Sequence, residues 1–124
     1  MISGIGVDII EVARVEKLID RDDKFLQKIF TQTEINYCRQ FTNKAQHFAG
    51  RFSVKEAFLK AMGTGWSNGL KFNEIETVND DLGKPEIILY GTTKEIFMRQ
   101  NFDIAHVSIA HLKEYATAVV VIEK

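Results

Sequence analysis

The chain has 124 residues, 45% of them apolar and 27% charged, with a formal net charge of −1. A chain of this length suits one compact domain, 1–124, that buries about two thirds of its unfolded surface. The near-neutral charge argues against bulk attraction to nucleic acid or to an anionic membrane.

Cys38 is the only cysteine, which excludes an internal disulfide and a multi-cysteine zinc site and fits a reducing compartment. Its surroundings, Asn36-Tyr37-Cys38-Arg39, hold no nucleophile motif, so a structural thiol is expected. The N-terminus lacks the basic lead-in and apolar core of a signal peptide. No apolar run approaches the ~20 residues needed to cross a bilayer, and a soluble, cytoplasmic protein is expected.

Ile2 to Ile9 reads as a first strand, with Ile5, Val7 and Ile9 alternating against small or polar neighbours. Gly4 and Gly6 supply only part of a dinucleotide fingerprint, because Ile9 stands where the third glycine belongs. Asp8 lies where the strand gives way to a helical pattern of Val12, Val15, Leu18 and Ile19, and its plain reading is an N-terminal cap. Arg14, Lys17, Arg21, Lys24 and Lys28 recur at helical spacing. They form either a solvated face or a docking surface for an acidic partner. Asp20, Asp22 and Asp23 mark a break within that stripe.

Thr31-Gln-Thr-Glu34 is a capping-box pattern for the next helix. A long helix then begins near Lys44. Ala45, Phe48, Ala49, Phe52 and Leu59 share one side, and Val54, Phe58, Ala61 and Met62 cover much of the other. Gly63 and Gly65 end it, since glycine accepts the left-handed conformation of a helix C-terminus. Glu56 projects from the first apolar stripe with Lys60 one turn on. An ionised carboxylate there is costly unless paired, hydrogen-bonded or bound to a metal. It reads either as a helix pair with Lys60, about 0.3–0.5 kcal/mol, or as a functional group.

Trp66 to Gly69 is a loop by composition. Phe72–Val78 and Pro85–Tyr90 read as strands joined by a turn at 79–84, and Thr92–Arg99 as a short helix. Ile104–Ala110 and Tyr115–Ile122 make a final hairpin. Period-two geometry puts His106, Ser108 and Ala110 on one face and Val107, Ile109 and His111 on the other, so the two histidines form no same-face metal pair. The order of elements predicts one α+β domain with helices packed on an antiparallel sheet.

Gly4-Ile-Gly-Val-Asp8, followed by Phe52-Ser-Val-Lys-Glu-Ala-Phe-Leu-Lys60, resembles the phosphopantetheinyl transferases, and within them the small acyl-carrier-protein synthase type. The resemblance continues through Gly63-Thr-Gly65, Gly83-Lys-Pro85 and His106-Val-Ser-Ile-Ala-His111, nearly the whole chain. It implies transfer of phosphopantetheine from coenzyme A to a serine of apo acyl carrier protein, for fatty acid biosynthesis, with adenosine bisphosphate released. It also implies Asp8 and Glu56 as Mg²⁺ ligands, in keeping with the metal's use of one or two carboxylates beside phosphate oxygens and waters. By the same resemblance Lys60 clamps phosphate and takes part in catalysis, and Arg51, Gly63, Gly65 and His106 line the coenzyme A site with it. Either Glu56 or a metal-bound water takes the serine proton, and the water is preferred because a ligating carboxylate is a weakened base. Acyl carrier proteins are acidic, so Arg14 and Arg21 become the preferred docking residues, ahead of Lys17, Lys24 and Lys28. The small members are trimers with sites between subunits, which implies a homotrimer.

Two positions depart from the wider pattern. Larger members carry a third acid where this chain has Ile10, and the histidine–serine strand often has a hydroxyl where this chain has Ala110. Two other readings use the same residues. One is a different Mg²⁺-dependent phosphoryl or phosphodiester chemistry such as a nuclease, which the net charge disfavours. The other is a non-catalytic adaptor for acidic helical proteins, which leaves Glu56 unexplained.

Overall fold

A computed structural model describes residues 1–64 and 69–124. The elements run β1 (Ile2–Glu11), α1 (Val12–Ile19), α2 (Asp23–Ile29), α3 (Gln32–Arg39), α4 (Lys44–Met62), β2 (Ile75–Asn79), β3 (Pro85–Leu89), α5 (Gly91–Arg99), β4 (Ile104–His111) and β5 (Tyr115–Glu123). The strands divide into an antiparallel sheet of order β1-β5-β4 and a separate β2-β3 hairpin. The α+β class therefore stands, with its strands in two sheets.

Helix α4 is the axis of the fold. It is buried on nearly every side from Phe48 to Met62, and two apolar clusters lie against it. One joins Val54, Phe58 and Leu59 to Ile75, Phe97, Val120 and Ile122. The other gathers Val12, Val15, Leu26, Phe30 and Ile35 around Phe48, with Phe30 and Phe48 in an edge-to-face contact at 5.0 Å. Each such side chain contributes about 1.5–3 kcal/mol relative to exposure. Gly63, at φ 77°, accepts the left-handed conformation that ends the helix, and its N–H donates to the carbonyls of Leu59 and Lys60.

Strand β1 crosses α4 in direct contact, and its glycines permit this. A Cβ on Gly4 would stand 2.1 Å from the Ala61 carbonyl oxygen, and one on Gly6 would stand 1.9 Å from that of Ala57. Two residues of strand advance about 6.6–6.8 Å and four of helix about 6.0 Å, so the two ladders stay in step. Gly4 lies on Ala61, Gly6 on Ala57, and the next residue inward, Asp8, falls at Ser53. Asp8 therefore sits inside β1, paired with Ala118, and does not cap α1, whose N-cap residue is Glu11.

The same contact decides the sidedness of β1. Because 4, 6 and 8 face the helix, Ile5, Val7 and Ile9 face outward and are exposed. Elsewhere the local signals hold. Thr31 and Glu34 form a reciprocal capping box, and Asp22 caps α2 through the Phe25 N–H. The acidic break ends α1 at Ile19 and divides the basic stripe between two helices. The segment read as a strand from Phe72 opens instead as a single 3₁₀ turn, Phe72–Glu74. The buried Lys55 ammonium donates to the carbonyls of Phe72 and Ile75 and holds that turn. Gly65 and the loop residues Trp66, Ser67 and Asn68 lie outside the described residues.

Candidate active site

A groove of about 390 Å³ lies where β1 meets α4 and α1, lined by Asp8, Arg14, Leu18, Phe52, Glu56 and Lys60 among others. Glu56 and Lys60 are one helical turn apart and share a face of α4. Lys60 Nζ reaches across to β1, 3.0 Å from the Val7 carbonyl and 3.2 Å from Asp8 Oδ1. Lys60 thus pairs with Asp8 across the fold, which neither reading of the helix alone anticipates.

Burial, and next the negative charge of Asp8, push the Glu56 carboxyl above the usual carboxylate range, and the Lys60 ammonium partly offsets them. Two carboxylates on one groove whose charges repel in this way are suited to a cation. Among the described residues no group of three or more histidine, cysteine or acidic side chains is poised around one point. A two-carboxylate set fits Mg²⁺, which leaves most of its shell to waters and phosphate oxygens.

The other candidate residues are spread over the surface. Arg14 borders the groove, and Arg21 lies over the Phe25 ring at 4.0 Å. Arg51 is buried in a separate cleft of about 190 Å³ with Tyr37, His47, Asn79, Gly83 and His111. Its Nη2 donates to Asn79 Oδ1 at 2.7 Å, its guanidinium stacks on Tyr37 at 4.0 Å, and its buried Nε has no hydrogen-bond partner among the described residues. His106 stands on the outer face of β4, with Nε2 2.6 Å from Glu123 Oε1. Gly63 closes α4 one turn beyond Lys60. A single chain therefore brings together Asp8, Glu56, Lys60 and Arg14, while Arg51 and His106 lie elsewhere. Cys38 is fully buried and its thiol is pushed up to about 12, so it stays neutral.

Ser53 and Lys55 lie within the Phe52–Lys60 motif, but the motif does not reveal their partners. Ser53, wholly buried, has its hydroxyl 3.1 Å from both Asp8 O and Asp8 Oδ2, and Thr117 Oγ1 donates to Asp8 O at 2.6 Å. Lys55, next to Glu56, is fully buried and donates to Glu34 Oε1 at 2.7 Å. A lysine with apolar neighbours on all sides of its helix is the one hint in the sequence that this pair exists.

Residues 4–120 match the family described as the 4'-phosphopantetheinyl transferase superfamily. The chain is 45% identical over 125 residues to the holo-[acyl-carrier-protein] synthase of Geobacter sp. (strain M21), and the alignment covers 100% of each. It superposes on the holo-[acyl-carrier-protein] synthase of Neisseria meningitidis with a TM-score of 0.90 at 33% identity, covering 100% of both chains. It also superposes on that of Bacillus anthracis in complex with CoA (3',5'-ADP), with a TM-score of 0.81 at 42% identity, covering 100% of this chain and 98% of the other. The chain belongs to the 4'-phosphopantetheinyl transferase superfamily, in its holo-[acyl-carrier-protein] synthase group.

Proposed function

We propose that this chain moves 4'-phosphopantetheine from coenzyme A to a serine hydroxyl of an apo acyl carrier protein. In this reading the reaction needs Mg²⁺, releases adenosine 3',5'-bisphosphate and primes the carrier for fatty acid biosynthesis in the cytoplasm. The observation that carries it is the convergence of Asp8, Glu56 and Lys60 from β1 and α4 on one groove. The names of its end-to-end relatives, and the coenzyme A bound to one of them, support it.

Asp8 and Glu56 would hold Mg²⁺. Once bound, the ion offsets the charge of the diphosphate and of the oxygens on which charge develops. The residues of the chain supply the rest. Lys60, largely exposed, can turn from Asp8 to a phosphate oxygen and orient the diphosphate for in-line attack. Arg14 at the rim and Arg21 on the adjoining turn form the docking surface for an acidic carrier, placing its serine at the groove.

Arg51 and His106 are assigned to coenzyme A, as are Gly63 and Gly65. Both side chains lie away from the groove in one copy, which accords with a homotrimer whose sites lie between subunits. The outer face of the β1-β5-β4 sheet supports such an assembly. Ile5, Val7, Ile9 and Val119 form an exposed apolar patch there at 63%, 56%, 68% and 39% accessibility, an arrangement monomeric proteins seldom leave open. No helix among the described residues is long and apolar enough to cross a membrane.

Substitution of Glu56 by Gln tests this reading. The variant keeps its affinity for the carrier protein, whose docking residues are elsewhere, and loses turnover by a hundredfold or more. An adaptor would be indifferent to the change, so wild-type turnover in the variant would reject the assignment.

A further inference from the structure

Asp8 is gripped from two sides by groups of different character. Lys60 reaches Oδ1 from the exposed rim, with 55% of its side chain accessible, and is free to exchange Asp8 for a substrate phosphate. Ser53 approaches from below and is wholly buried. A buried serine in a helix must place its hydroxyl proton, and the usual acceptor is the carbonyl one turn back. Here the hydroxyl instead lies 3.1 Å from both Asp8 O and Asp8 Oδ2. It has one proton to give. The Asp8 carbonyl already accepts from Thr117 at 2.6 Å, and the carboxylate is the stronger acceptor, so the proton goes to Oδ2.

We infer that Ser53 is a positioning residue that sets the orientation of the Asp8 carboxylate relative to Glu56. This rests on the reading of Asp8 and Glu56 as the metal-holding pair. Three relationships carry it. Ser53 continues the row of small residues, Ala57 and Ala61, on which Gly6 and Gly4 of β1 lie, so it is small enough to admit the strand at Asp8. It is three residues before Glu56 on the same helix, so one rigid element presents the Glu56 carboxylate and the donor that orients Asp8. With Oδ2 fixed by Ser53, the carboxylate keeps its orientation when Lys60 moves to a phosphate.

The test is Ser53→Ala, which removes one hydroxyl and leaves the Asp8 carbonyl its bond from Thr117. Mn²⁺ serves as a paramagnetic probe of the Mg²⁺ site, its binding followed by electron paramagnetic resonance with coenzyme A present and carrier protein absent. The wild type binds Mn²⁺, and the variant binds about tenfold more weakly, as loss of a group supporting a metal ligand predicts. Its kcat falls at limiting Mg²⁺ and returns to within about twofold of wild type at saturating Mg²⁺. The KM for coenzyme A at saturating metal does not change. A purely structural role would lower thermal stability without moving the metal affinity. Equal Mn²⁺ affinity in wild type and Ser53→Ala overturns the inference, as does a loss of kcat that excess Mg²⁺ does not recover. Absence of Mn²⁺ binding by the wild type rejects the metal-holding pair itself, and this inference with it.

Discussion

Lys55 donates to Glu34 at 2.7 Å, and neither side chain has any accessible surface. The pair joins the N-terminal cap of α3 to the middle of α4, beside Glu56. Glu34 is used fully. Its Oε1 also accepts from the Thr31 N–H and its Oε2 from the Thr77 N–H. Removal of the lysine alone strands a carboxylate in the core, at a cost of about 3–5 kcal/mol. Lys55→Met is expected to lower unfolding free energy by about that amount in urea titrations. Pairing it with Glu34→Gln recovers part of the loss, because the stranded charge is gone. A cost for the single substitution below about 1 kcal/mol, the scale of an exposed ion pair, would show the pair is dispensable.

His47 provides a pH signature. Its ring stacks on Phe41 at 3.7 Å and meets His111 edge-on at 5.2 Å. Burial, then the charges of His111 and Arg51, hold the imidazole below its ordinary 6.5. The folded state thus binds this proton less well than the unfolded chain does. The associated stability is complete above about 6.5 and is lost as pH falls through the folded value. His47→Phe keeps a ring on Phe41 and cannot titrate. Between pH 7.5 and 5.5 the urea midpoint of the wild type should therefore fall further than that of the variant. Parallel pH profiles would contradict the placement.

The outer sheet face gives a prediction about assembly. Val7 and Val119 are directly paired across β1 and β5, and both are exposed. In the proposed trimer a carboxylate in that patch meets apolar surface and its own symmetry mates. Val7→Glu should reduce the sedimentation mass from three copies to one and remove activity, while circular dichroism stays that of the wild type. A wild type that sediments as a monomer would place the coenzyme A groups Arg51 and His106 outside any common site.

Much of this arrangement is legible in the sequence where the cause is local. The Thr31–Glu34 capping box and the Gly63 stop depend on residues within one turn, and both form as read. Alternation in β1 is equally plain, yet it cannot say which face is inward. That depends on Gly4 and Gly6 meeting Ala61 and Ala57, more than fifty residues away. For the same reason Asp8 passes for a cap, and Ser53 and Thr117 carry no visible role, until the strand is laid on the helix. Lys55 and Glu34 look like ordinary charged residues because their partners are supplied by tertiary packing. The pairing of Asp8 with Glu56 is legible only through resemblance to a family. Composition and spacing alone divide Glu56 between a helix ion pair and a functional carboxylate.

The most direct measurement of the transfer is intact-mass spectrometry of an apo acyl carrier protein after incubation with this protein, coenzyme A and Mg²⁺. A mass gain of one phosphopantetheinyl group is expected, absent when a chelator is added. An unchanged carrier mass across several carrier proteins, with the enzyme folded and Mn²⁺ bound at the groove, would contradict it and point to another chemistry at Asp8 and Glu56.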